Sequence, residues 1–150
     1  MKKIFSFGLL LILSACKTYE IPVDSFNEQF QNVQQVEKII AMHGPTMFAY
    51  SEVPTLVNNL DSIRVIDKKG QVLYLENAPS LIIRFFDLNN KYYTMYFDSV
   101  LLKNDTLTGN RSRMLNGWLY EIPFSSIKKI KIQDDKKIYK YKPKDDKKNE

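Results

Sequence analysis

From about residue 46 onward, apolar and polar residues alternate in short runs separated by turn residues, and this pattern predicts strands. Residues 62–67 place Ile63 and Val65 on one face, and Leu81, Ile83 and Phe85 mark the buried face of a strand whose other side carries Arg84. Asp67-Lys68-Lys69-Gly70, Asp87-Leu88-Asn89-Asn90 and Asn104-Asp105 are turn signals between such runs. Residues 71–76 and 91–97 return from the first two turns, and 99–103 and 106–108 flank the third. Asn116-Gly117 favours positive φ and predicts a tight turn. Ile127, Ile130 and Ile132 form one strand, residues 133–136 a polar turn, and 137–142 a last strand with Tyr139 and Tyr141 on one face. Residues 46–51 are a short apolar-aromatic run, and 53–59 read as a connection. Residues 77–80, with Pro79, break the pattern. Residues 121–126 interrupt it again, with Ile122-Pro123-Phe124 as a single tight turn.

The N-terminal part is different. Ser25-Phe26-Asn27-Glu28 fits a capping box, and Phe26, Phe30 and Val33 then share one helical face, so a helix is expected over 25–33. Residues 36–42 suit helix or strand, with strand preferred because Ile39-Ile40 leads to a stop at Gly44-Pro45. Several short strands at roughly ten-residue spacing argue for a mainly β chain. The expected form is a small antiparallel barrel or sandwich, an SH3-like barrel included, with one short N-terminal helix. The domain is expected over 25–142. Residues 16–24 read as a tether, and the stretch 143–150, with no apolar side chain over 144–150, as a disordered tail.

The first sixteen residues carry a location signal. Lys2 and Lys3 precede an apolar run over 4–13 that is too short to span a bilayer, then Leu13-Ser14-Ala15-Cys16. This order resembles the lipobox of bacterial lipoproteins. The resemblance implies removal of residues 1–15 and a covalent lipid on Cys16: a diacylglyceryl group plus an N-acyl chain such as palmitate. More than one acyl chain is what stable anchoring requires.

Charge changes the picture only at one end. Without Lys2 and Lys3 the chain keeps 20 basic against 17 acidic residues. Residues 128–150 hold ten lysines and five acids, so the rest is near neutral. The basic C-terminal end reads either as a solvated strand and tail or as a surface for an anionic partner. Neither the export signal nor any motif points to nucleic acid.

Candidate chemistry is sparse. Cys16 is the sole cysteine and His43 the sole histidine, so neither a thiolate nor a histidine cluster for a metal exists in the sequence, and no cofactor is expected. His43 beside Gly44-Pro45 reads as a loop or turn residue. Asp67, Asp87, Asp98, Asp105 and Asp134 fall at turns or strand ends, where Asp caps its own backbone. No phosphate loop is present. No catalytic residue is assigned.

Two surfaces are candidates for binding. Phe85, Phe86, Tyr92, Tyr93, Tyr96 and Phe97 crowd one hairpin, with Tyr92, Thr94 and Tyr96 on one face and Tyr93, Met95 and Phe97 on the other. A solvent-side stripe of Tyr92 and Tyr96 would stack on a sugar or protein; alternatively both faces are covered, one by the sheet and one by the helix. In Gly109-Asn110-Arg111-Ser112-Arg113 the two arginines point the same way on an extended segment and suit an anion or partner; alternatively they belong to a merely soluble loop or pair with local carboxylates.

Asn77-Ala78-Pro79-Ser80, Tyr96-Phe97-Asp98-Ser99, Ser112-Arg113, Ile122-Pro123-Phe124, residues 127–134 and the closing 136–141 together resemble uncharacterised small lipoproteins of Bacteroidota, over about half of the chain. The resemblance implies a bacterial envelope lipoprotein and carries no activity with it. Lys17 after the cysteine, with no Asp there, points to the outer rather than the inner membrane. The expected function is a lipid-anchored, non-enzymatic binding or accessory module for an envelope protein or glycan. The alternatives are a carboxylate-dependent glycan hydrolase and a purely structural envelope lipoprotein.

Overall fold

The computed structural model describes residues 17–46, 49–115 and 117–143. The expected signal segment 1–15, Cys16, Asn116 and the tail from 144 lie outside the described residues. The chain is mainly β, with antiparallel sheets and one α-helix. The sheets are open and not closed into a barrel, so the sandwich form holds and the barrel form does not.

The largest sheet has six strands in the order β5-β4-β1-β11-β6-β7. Here β1 is Thr18–Ile21, β4 Ser62–Ile66, β5 Val72–Glu76, β6 Leu81–Asp87, β7 Tyr92–Tyr96 and β11 Ile127–Asp134. The period-two pattern decides which face is buried. Ile63 and Val65, Ile83 and Phe85, and Ile130 and Ile132 all point inward. Gly70 with φ +80° and Asn90 with φ 62° close the β4–β5 and β6–β7 hairpins.

Residues 17–24 are not a tether. Thr18–Ile21 is an interior strand, paired with β11 from Thr18↔Gln133 to Ile21↔Ile130 and with β4 at Glu20↔Ile66. Burial of Ile21 and half-burial of Tyr19 outweigh the polar look of the segment.

Pro22, with φ −56°, ends β1 and starts α1 at Val23–Phe30. The capping box does not form, because Ser25 already lies inside the helix and no side chain caps its start. Ser25 Oγ instead accepts from Arg64 Nη2 at 3.1 Å, and Glu28 pairs with the same guanidinium at 2.8 Å. Gln29 Oε1 accepts the Arg64 backbone N–H at 2.7 Å, so the helix satisfies a backbone group of β4 that the short β1 does not reach. The helix stops at Phe30 rather than 33, although Val33 still packs on the core.

A three-stranded sheet, β10-β9-β8, and α1 cover the inner face. Its strands are β8 Leu101–Lys103, β9 Thr106–Asn110 and β10 Leu119–Pro123. Phe26 stacks on Phe30 at 4.1 Å and meets Phe85 edge-on at 5.4 Å, while Phe30 meets Phe97 edge-on at 6.1 Å. Ile122 and Pro123 belong to β10, and the tight 3-10 turn expected at 122–124 is Phe124–Ser126.

The third sheet, β12-β2-β3, has a small core of its own around Ile40, Met42 and Val57. Residues 36–42 are strand, within β2 Gln35–His43, and β12 is Tyr139–Tyr141. The expected connection at 53–59 is instead part of β3, Tyr50–Asn58. Pro54 sits within β3 because β3 is an edge strand, and an edge tolerates a missing donor. Of the run 46–51, residues 47 and 48 lie outside the described residues, and Tyr50 and Ser51 are in that strand.

Candidate binding cleft

The link between β9 and β10 builds the candidate site. Asn110 pairs with Leu119, and between them the chain makes a loop closed by the Arg111 N–H donating to the Trp118 carbonyl at 2.9 Å. Ser112 Oγ accepts the N–H groups of Met114 and Leu115 and tightens the next turn. Arg113 turns inward and fixes the loop. Its Nη2 donates to Asp98 Oδ1 at 2.6 Å and to the Pro79 carbonyl at 2.7 Å, and its guanidinium lies over the Tyr96 ring at 4.1 Å. With Arg113 drawn in, the apolar neighbours are left outside: Met114, Leu115, Trp118 and Leu119 are 79%, 48%, 53% and 52% exposed.

Beside this loop lies a cleft of about 440 Å³, a size suited to a ligand or a partner side chain. One wall is the edge strand β3, through Pro54, Thr55 and Leu56. Ser99, Thr108, Asn110 and Arg113 bring polar groups, and Leu101, Leu115 and Leu119 apolar ones. Exposed Leu56, Leu115 and Leu119 thus border a partly polar hollow. No carboxylate lines it among the described residues.

The arginines do not act as a pair. Arg113 is buried and structural, whereas Arg111 is exposed, with its guanidinium over the Trp118 ring at 5.4 Å and the Tyr120 ring at 4.5 Å. The segment bends after Asn110, so strand alternation no longer sets side-chain direction. Tyr92 and Tyr96 do not form an exposed stripe either. Tyr92 is exposed beneath the Arg84 guanidinium, at 5.2 Å, but Tyr96 is buried among Arg113, Lys137 and Tyr139. The cover over Tyr96 comes from the loop and the β12 segment; the helix packs on the opposite face, against Phe97.

Asp98 is the second departure. Asp67, Asp87 and Asp134 accept N–H groups of their own turns, as expected, and Asp105 accepts from Ser125 across a hairpin. Asp98 is fully buried, holding Arg113 through Oδ1 and accepting from the Tyr141 hydroxyl through Oδ2 at 2.7 Å. Burial, and then the Asp98 carboxylate, push the Tyr141 phenol well above its ordinary range. Burial alone would lower the Lys137 ammonium, but Asp135 and the Tyr96 hydroxyl hold it above its usual value.

Asn58 completes this joint, donating to the carbonyls of Phe97 and Val100 and accepting from Asn77 at 2.8 Å. Residues 77–80, 96–99 and 112–113, far apart in sequence, meet here and tie the small sheet to the main one.

His43 ends β2, exposed against the Tyr50 ring. Among the described residues no group of three His, Cys, Asp or Glu is placed to hold a metal, and no helix is long and apolar enough to cross a membrane. Comparison with protein families, curated proteins and solved structures found no match.

Sequence reasoning missed Trp118. The signal was present: the chain has one tryptophan, and it directly follows the turn residue Gly117, where burial is hardest to arrange.

Proposed function

We propose that this protein is a lipid-anchored lipoprotein of the bacterial envelope, held by a lipid on Cys16 in the outer membrane, that works as a non-enzymatic binding module for an envelope protein or glycan. The observation that carries the reading is the loop over 111–118, where Trp118 and Arg111 stand exposed beside an apolar-rimmed cleft. Trp and Arg are the residue types that dominate binding hot spots, and a fixed loop presents them at little ordering cost. Arg113 supplies that fixation. The leucine rim, from Leu56, Leu101, Leu115 and Leu119, favours a protein segment as the occupant. A glycan hydrolase would need two acids facing one hollow, and the cleft lining offers none.

Crosslinking in intact envelopes, followed by mass spectrometry of what copurifies, tests the reading. One recurrent partner is expected, lost by about thirtyfold or more in Trp118→Ala with thermal stability retained. No partner above background, or recovery indifferent to Trp118, defeats it. For the anchor, Cys16→Ala is expected to leave the precursor uncleaved or release it from the membrane fraction.

A further inference from the structure

The end of the main sheet where β1 begins carries a second surface. β1 starts at Thr18, and the β4–β5 turn lies beside it because β4 runs antiparallel to β1 with Ile66 opposite Glu20. Lys17, Thr18, Tyr19, Asp67, Lys68, Lys69 and Leu73 line one shallow hollow there, three lysines against one acid. Lys17, Lys68 and Lys69 are exposed and have no ion-pair partner among the described residues.

The strand that leaves this turn, β5, is an edge strand with both faces open. Val72, Leu73 and Tyr74 are 57%, 38% and 68% exposed, so three consecutive apolar side chains stand in solvent next to the lysines. The acids nearby are already engaged. Asp67 accepts the N–H groups of Lys69 and Gln71, and Glu20 pairs with Lys129 at 3.6 Å. Further along the same end, Asp135 pairs with Lys137, and Asp134 accepts from the Lys136 backbone.

We infer that this surface rests on the anionic headgroups of a bilayer, with the lysines toward lipid phosphates and Val72, Leu73 and Tyr74 at the headgroup boundary. The inference builds on the anchor reading, but its residues are independent of Cys16. Lysines beside exposed apolar and tyrosine side chains have the composition of an interfacial contact. The chain geometry agrees. Cys16 precedes Thr18 by two residues, so a lipid on it would lie within about 7 Å of the start of β1 along the chain. The β6–β7 turn, at Asp87 opposite Ile127, is at the far end of the same sheet and points away.

Hydrogen exchange of the full protein purified from membranes tests this, in vesicles containing phosphatidylglycerol and in purely zwitterionic vesicles. Amides over 67–74 are expected to exchange about tenfold more slowly or less with phosphatidylglycerol only, with 88–91 unchanged, and K68E/K69E to abolish the difference while the protein stays on the vesicles. Equal exchange in both vesicles, or protection untouched by K68E/K69E, overturns the inference. Protection that grows with protein concentration in detergent, without lipid, overturns it in favour of a second copy pairing at β5. The mass of Cys16 in the same sample reports the anchor separately: an unlipidated Cys16 defeats the anchor reading, while exchange on added anionic vesicles still decides the surface.

Discussion

Arg113 and Asp98, both buried, meet at 2.6 Å between Nη2 and Oδ1 and hold the candidate binding loop against the sheet joint. Asp98 is satisfied through both oxygens, by Arg113 and Tyr141, and Arg113 has two acceptors besides the Tyr96 ring. Removing either partner strands a charge in the interior. Arg113→Ala and Asp98→Asn are each expected to cost about 3–5 kcal/mol in urea unfolding, and the pair to be far from additive. Two independent, small effects would show that the contact is not what holds the loop.

Tyr141 predicts an alkaline limit. Its phenol keeps its proton in the fold above the ordinary value of 10.0, because it is buried and faces Asp98. The folded state therefore binds the proton more tightly than the unfolded chain. Its contribution is complete below the unfolded value and is lost as pH rises through the folded one. Urea midpoints should be level up to about pH 9 and fall beyond about pH 10. Tyr141→Phe should flatten part of that fall and lower neutral stability by about 2 kcal/mol. Tyr139, raised chiefly by burial, accounts for part of what remains.

How much of this was legible varied with the kind of signal. Strands with one buried face announced themselves, since β4, β6 and β11 need only local alternation, and the Asp67 and Asp87 turns carry their own capping groups. β1 and β3 did not, because each depends on a neighbour distant in sequence: Thr18–Ile21 on β11, and Pro54 on standing at an edge. The site was half legible. Arg111 stands out in both, but Arg113 looked equivalent until Asp98 and the Pro79 carbonyl came within reach. No local pattern marks a residue whose partners lie 15 and 34 positions away.

Gly109 lies where β9 crosses close to β7. A Cβ there would stand 2.6 Å from Met95 Sδ and 3.3 Å from Val100 Cγ2. Gly109→Ala should destabilise by about 1–3 kcal/mol, read from thermal unfolding. Met95→Ala, costly alone, should cost less in that background, and strict additivity would argue that the thioether is not the obstruction.

Gln29 replaces a missing strand neighbour for Arg64. Gln29→Ala should cost about 1–3 kcal/mol by orphaning that N–H, and the Arg64 amide should exchange faster by the same factor as the local loss. Unchanged exchange would mean that water serves the group equally well.

The early start of β1 has a mechanical consequence. Tension applied at Cys16 runs along the axis of a strand gripped on both sides, by β4 and β11, and so loads its interstrand hydrogen bonds in shear. The rungs from Thr18 to Ile21 must then fail together and cannot peel one at a time, as they would from an edge strand. Were the protein held by the lipid proposed on Cys16, a lateral pull would pass straight into its core with no slack to take up first.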